Sequence, residues 1–231
     1  MEEDIKLIPL DTSALSLEVI EILLFDSTVE PSLFEEIAHK NTHRPEILRY
    51  LLNHPNTPED TRQFVAQTLQ LPVPHVAEET PEEPVSEEIK HEHRTQSLLQ
   101  KIQKLKVGER IQLALKGGRE IRSILLRDTN KEVMLSVLDN PKISESEIEL
   151  IAKQKTTPDE IIRTIAKRKE WLKNYSIVYA IVTNPKTPIA ISLKYMYNLK
   201  LKDLLMLEKD KNIPGAIRET AKKVASARKL T

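Results

Sequence analysis

The feature that most constrains this chain is a corner that recurs along it. An apolar helical stretch runs into Asn or His, then Pro, and within about four residues reaches a Thr or Ser that opens the next stretch. The strings are Ile47–Pro58 (ILRYLLNHPNTP), Val133–Ser144 (VMLSVLDNPKIS) and IVYAIVTNPKTP, which ends at Pro188. Proline cannot continue a helix past its first turn and pushes the residue before it out of helical backbone. Each string therefore predicts one helix that stops and another that starts after a short connection, which places the two side by side and antiparallel.

Thr57-Pro58, Thr157-Pro158 and Thr187-Pro188 mark the clearest starts. The Thr hydroxyl is expected to accept an N–H of the first turn, with Pro at the first helical position. Ser144 with Glu147, and Thr157 with Glu160, have the spacing of a capping box. With the apolar periodicity between them, these signals predict helices near 16–25, 31–40, 45–53, 58–69, 95–105, 107–115, 119–127, 131–139, 144–153, 158–168, 174–183, 188–198, 201–208 and 214–228. Four glycines in 231 residues and little β-branched alternation leave no basis for tight hairpins and sheets, so the expected class is all-α.

Residues 71–93 break the pattern with four prolines and seven glutamates and almost no apolar periodicity. Such a stretch buries too little to offset the entropy of ordering it, and 71–94 is expected to be an acidic, Pro-rich flexible linker. It divides the chain into a small N-terminal helical block, 12–70, and a basic C-terminal helical block, 95–230. The formal net charge of zero hides this division. Residues 1–93 hold 6 Lys and Arg against 20 Asp and Glu, and residues 94–231 hold 29 against 15. Opposite halves of this kind point to different partners, or to the acidic linker contacting the basic C-terminal block within one molecule. Shifting the N-terminal block by 114 residues pairs Ile37 with Ile151, Ala38 with Ala152 and Glu46 with Glu160, which suggests diverged copies of one helical unit.

The corner strings resemble the leucine-rich repeat variant and related HEAT-like bacterial repeats, in which a helix ends in an Asn-Pro-x-Thr-Pro turn that leads into the next. The resemblance covers most of 119–230 and much of 28–70. It implies short helical-hairpin repeats forming an irregular α-solenoid in two blocks, and a non-enzymatic scaffold or adaptor that presents a surface to a protein. It implies no catalytic residues.

The chain has no cysteine, so thiolate chemistry, disulfides and cysteine-ligated metals are excluded. His39 and His43, and the His91-Glu92-His93 triplet, are expected to be surface groups and not metal ligands, and no cofactor is expected. Gly117-Gly118 lacks the spacing of a phosphate loop and reads as the end of one helix and the start of the next. No Ser/His/Asp grouping is legible, and no histidine follows His93, so an enzyme is not expected. The acidic N-terminus and the lack of a spanning apolar run lead to an expected cytoplasmic protein without a membrane span.

One segment stands out as a candidate binding site: Arg163, Lys167, Arg168, Lys169, Trp171, Lys173 and Tyr175. It joins the only tryptophan to the densest basic run at a helix-to-helix corner. Trp and Arg dominate many protein interfaces, and basic residues interleaved with aromatics also suit nucleic acids. A plain packing role for Trp171 is the competing explanation. The expected partner is a protein, with nucleic acid bound by the basic block as the alternative.

Overall fold

The computed structural model describes residues 11–26, 28–74 and 87–229, with backbone alone for 87–93. Among the described residues the regular structure is entirely helical. The helices are α1 (Leu17–Phe25), α2 (Pro31–Lys40), α3 (Pro45–Asn53), α4 (Glu59–Leu69), α5 (Glu87–Lys104), α6 (Val107–Lys116), α7 (Arg119–Leu125), α8 (Lys131–Val137), α9 (Glu145–Lys153), α10 (Asp159–Ile165), α11 (Tyr175–Thr183), α12 (Ile189–Met196), α13 (Leu201–Lys209) and α14 (Gly215–Lys229). Short 3-10 turns occupy Thr12–Ala14 and Trp171–Lys173. Apart from α5, each helix lies within about three residues of its expected span at either end. The largest departure is α5, which begins at Glu87 and not near 95. Its apolar stripe of Leu98 and Ile102 starts late, and the polar residues ahead of it are good helix formers that carry no periodic signal.

The chain forms two compact units, residues 1–141 and 142–231. The division does not fall in the acidic segment, of which residues 75–86 lie outside the described residues. The reason is α1. Val19, Ile20, Ile22, Leu23 and Leu24 are all buried, so this helix is apolar around most of its circumference and needs neighbours on several sides. It finds them in α3, α5 and α6, which lie on both sides of the acidic segment in sequence.

A buried carboxylate reinforces that packing. Asp26, just past α1, is 2% exposed and accepts the backbone N–H of Ile121 at 3.3 Å, while Thr28 Oγ1 accepts the N–H of Arg119 at 3.0 Å. These groups cap α7 from a distant part of the chain, and Gly118 makes room for them. A Cβ at Gly118 would lie 2.1 Å from Thr28 Oγ1 and 2.6 Å from Asp26 Oδ2. Gly117 is the C-cap of α6, as the sequence suggests, but its φ of −62° is not left-handed. Space, and not backbone freedom, requires both glycines.

The Thr-Pro corners work differently from the sequence expectation. Pro58, Pro158 and Pro188 stand at the N-cap positions of α4, α10 and α12, and none of these caps receives a side-chain hydrogen bond. Thr57, Thr157 and Thr187 are one residue earlier and buried, and each points back into the preceding helix. Their hydroxyls donate to the carbonyls of Leu51, Ile151 and Ile181 at 2.7, 2.7 and 2.6 Å. The last carbonyls of a helix lack intrahelical donors. For Leu51 and Ile181 the residue four positions on is Pro55 or Pro185, which has no N–H to offer, and the Thr hydroxyl takes its place. With Pro158, and not Thr157, at its N-cap, α10 opens without the side-chain cap expected there, whereas Ser144 and Glu147 do form a capping box.

This strut also sets the register of the recurrence. It aligns α3–α4 with α9–α10 at a spacing of 100 residues, so that buried Leu48, Leu51, Val65 and Ala66 correspond to buried Ile148, Ile151, Ile165 and Ala166. The 114-residue shift instead pairs α2 with α9, and the α2–α3 corner has no such strut.

Candidate functional site

Residues 142–229 are built as three helical hairpins, α9–α10, α11–α12 and α13–α14, with α11 packed on α9 and α14 packed on α12. At one end of the hairpins Asn184 is 4% exposed and its Nδ2 donates to the carbonyls of Ala152 and Gln154 at 2.7 and 2.9 Å. In residues 1–141, Asn140 binds Ala114 and Gly117 in the same manner, at 2.8 and 3.1 Å. The Asn of each Asn-Pro corner thus ties the last carbonyls of an earlier helix, a role the proline signal alone does not reveal.

The candidate binding segment lies at the other end. Ile165 closes α10, the 3-10 turn at Trp171–Lys173 follows, and Asn174 caps α11 by accepting the N–H of Ser176 at 2.9 Å. Trp171 is 7% exposed and lies in the core, with the Arg168 guanidinium 4.5 Å from its ring centre. It is a packing residue, and the exposed surface around it is basic. Lys167, Lys169 and Lys173 are exposed, and Arg163 is exposed on α10 with its Nε 3.1 Å from Asp159.

Tyr175 reaches across to α13. Its hydroxyl donates to Asp203 and accepts the N–H of Lys200 at 2.9 Å, and Lys200 Nζ sits 4.6 Å above its ring. Burial, then the hydrogen bond to the Asp203 carboxylate, raises the phenol above its ordinary value. Nearby, Tyr195 donates to the Ala166 carbonyl at 2.8 Å, and the Arg228 guanidinium donates to the carbonyls of Leu199 and Tyr197. Segments 166–175, 197–203 and 228–229 are therefore stitched side by side.

Together these segments hold eight basic residues and two acidic ones, Glu170 and Asp203. The sequence singles out the first segment. Lys200, Lys202 and the 63%-exposed Tyr197 join it only through tertiary pairing, and nothing in YNLKLKD alone marks them.

An open groove of about 440 Å³ lies in residues 1–141 between Leu17, Glu46, Arg49, Tyr50, Asn53, His54 and Pro55. Burial, with a smaller contribution from the Glu21 charge, pushes the Tyr50 phenol up to about 12. Burial, with the Arg62 charge second, holds His54 below its ordinary value. Its ring packs against Phe34 and Tyr50 at centroid distances of 5.4 and 5.5 Å, and Nδ1 accepts the N–H of Asn56 at 3.3 Å. Asn184 Oδ1 does the same for Lys186 at 2.8 Å, so His54 is the imidazole counterpart of the corner asparagine.

Among the described residues no trio of potential metal-ligating side chains is gathered, and no helix is long and apolar enough to cross a membrane. His39 packs on Phe64 at a centroid distance of 4.1 Å, and the side chains of His91 and His93 lie outside the described residues. No family model matches the chain, and comparison with curated proteins and with solved structures finds no match. Fold and site define an all-helical protein whose second unit carries a lysine-rich helix-end surface.

Proposed function

We propose that the chain is a non-enzymatic α-helical repeat protein of the HEAT-like or leucine-rich repeat variant kind, a cytoplasmic scaffold or adaptor for a protein partner. The observation that carries this reading is the recurrence of one corner, with Thr57, Thr157 and Thr187 donating to a carbonyl six residues back. Repetition of a structural unit is what a chain uses to build broad surface, and in this reading the hairpins belong to an irregular α-solenoid in two blocks. Leu150 and Met206, 50% and 54% exposed on α9 and α13, offer apolar contact for a partner. The non-enzymatic part rests on the sequence, which has no cysteine and no legible nucleophile and base pair.

The test is in-cell crosslinking of the full chain, read by mass spectrometry, for the native protein and for L150D/M206D. A protein partner crosslinked to residues 142–229, and lost in the variant with its helical content intact, supports the reading. A native chain that crosslinks to nothing the variant does not also capture contradicts it.

A further inference from the structure

The lysine-rich end of residues 142–229 carries more than its charge count, because its three segments are held in place by backbone hydrogen bonds from Tyr175, Tyr195 and Arg228. Lys167, Lys169, Lys173, Lys200 and Lys202 are exposed on this fixed frame. Asp203, one of its two acids, is engaged by the Tyr175 hydroxyl. Ordering these side chains on a ligand costs rotamer entropy but no loop entropy.

The kind of partner follows from what the surface has and lacks. Protein interfaces concentrate aromatic, Met and Arg side chains at their centre and deplete Lys there. Here Trp171 is buried, Leu199 is 1% exposed, and Tyr197 is the one large apolar side chain of these segments that is exposed. Exposed lysines with one exposed ring match a chain of phosphates with an unstacked base laid on the ring.

We infer that this end surface binds single-stranded nucleic acid, with the lysines neutralising the phosphate backbone and Tyr197 stacking a base. The inference goes beyond the adaptor proposal and stands or falls separately from it, since it concerns lysines and Tyr197 and not Leu150 or Met206.

The experiment is fluorescence anisotropy of the full chain with a labelled single-stranded oligonucleotide and with the matching duplex, across a salt series. The single strand should bind with a log–log salt slope of about −3, as expected for roughly four or five neutralised phosphates. K167Q/K169Q/K173Q should bring the slope to about −1, a change of roughly two for three lost phosphate contacts. K153Q/K155Q/K186Q removes the same charge at the other end of the hairpins and should leave the slope unchanged. Tyr197→Ala should weaken single-strand binding about tenfold and leave the duplex unaffected. Thermal unfolding confirms that each variant is folded. Absence of binding at about 50 mM salt overturns the inference. So do equal losses in the two triple variants, duplex binding as tight as single-strand binding, or equal competition by a polyglutamate peptide, which would reassign the surface to an acidic protein.

Discussion

Asp26 and Ile121 are joined across the acidic segment by a hydrogen bond of 3.3 Å from the Ile121 backbone N–H to a carboxylate that is itself 2% exposed. This contact, with the close approach at Gly118, makes residues before and after the segment parts of one packed unit. Gly118→Ala forces Cβ against Thr28 Oγ1 and Asp26, and Asp26→Ala leaves the Ile121 N–H of the first turn of α7 without its acceptor. Each is expected to cost about 2 kcal/mol. Hydrogen exchange should then speed up in both α1 and α7. Loss of protection in α7 alone would contradict the joint packing.

The Thr struts predict a cost that capping tables do not. Thr187→Val keeps the shape but leaves the Ile181 carbonyl without its hydroxyl donor, and should destabilise by about 1 to 2 kcal/mol. Thr187→Ser, which keeps the donor, should lose less. Urea unfolding followed by Trp171 fluorescence measures both, since the only tryptophan lies in the same unit. Equal stability for Thr and Val would mean the hydroxyl does not stabilise the corner.

His54 gives the first unit a pH dependence. Burial, with the Arg62 charge second, holds its folded pKa below the ordinary imidazole value, so the folded state binds fewer protons than the unfolded state in this range. Its stabilising contribution is complete above about pH 6.5 and is lost as pH falls through the folded value. His54→Asn should keep the corner, because Asn184 accepts the equivalent N–H, that of Lys186, at its own corner, and should flatten the dependence. Unfolding midpoints of the two chains between about pH 7.5 and pH 5 check this. Parallel curves would rule out His54 as the source.

Trp171 separates core from interface directly. At 7% exposure its fluorescence should be blue-shifted and poorly quenched by iodide. Trp171→Ala should destabilise by about 3 to 5 kcal/mol. Strong quenching with little loss of stability would return it to the surface.

Helix positions were legible because a proline and a cap are local signals. Asn140, Asn184 and the Thr struts were not legible in their roles, because the same residue types serve as ordinary caps and turn residues, and only the carbonyls they face decide which role they take. The docking of α1 onto α5 and α6 escaped for a related reason. The Pro- and Glu-rich composition of 71–94 marks a stretch unable to build a core, but says nothing about whether the helices beside it share one. At the candidate site the sequence brought out Lys167, Lys169 and Lys173, while Lys200, Lys202 and Tyr197 needed the pairing made by Tyr175 and Arg228.

The most direct test of the claim that the second unit works through its lysine-rich end is hydrogen exchange of the full chain with and without a saturating single-stranded oligonucleotide. Slower exchange confined to 166–175 and 197–203 is the predicted result. Unchanged exchange in both segments, or protection centred on the groove beside Tyr50 and His54, would contradict it.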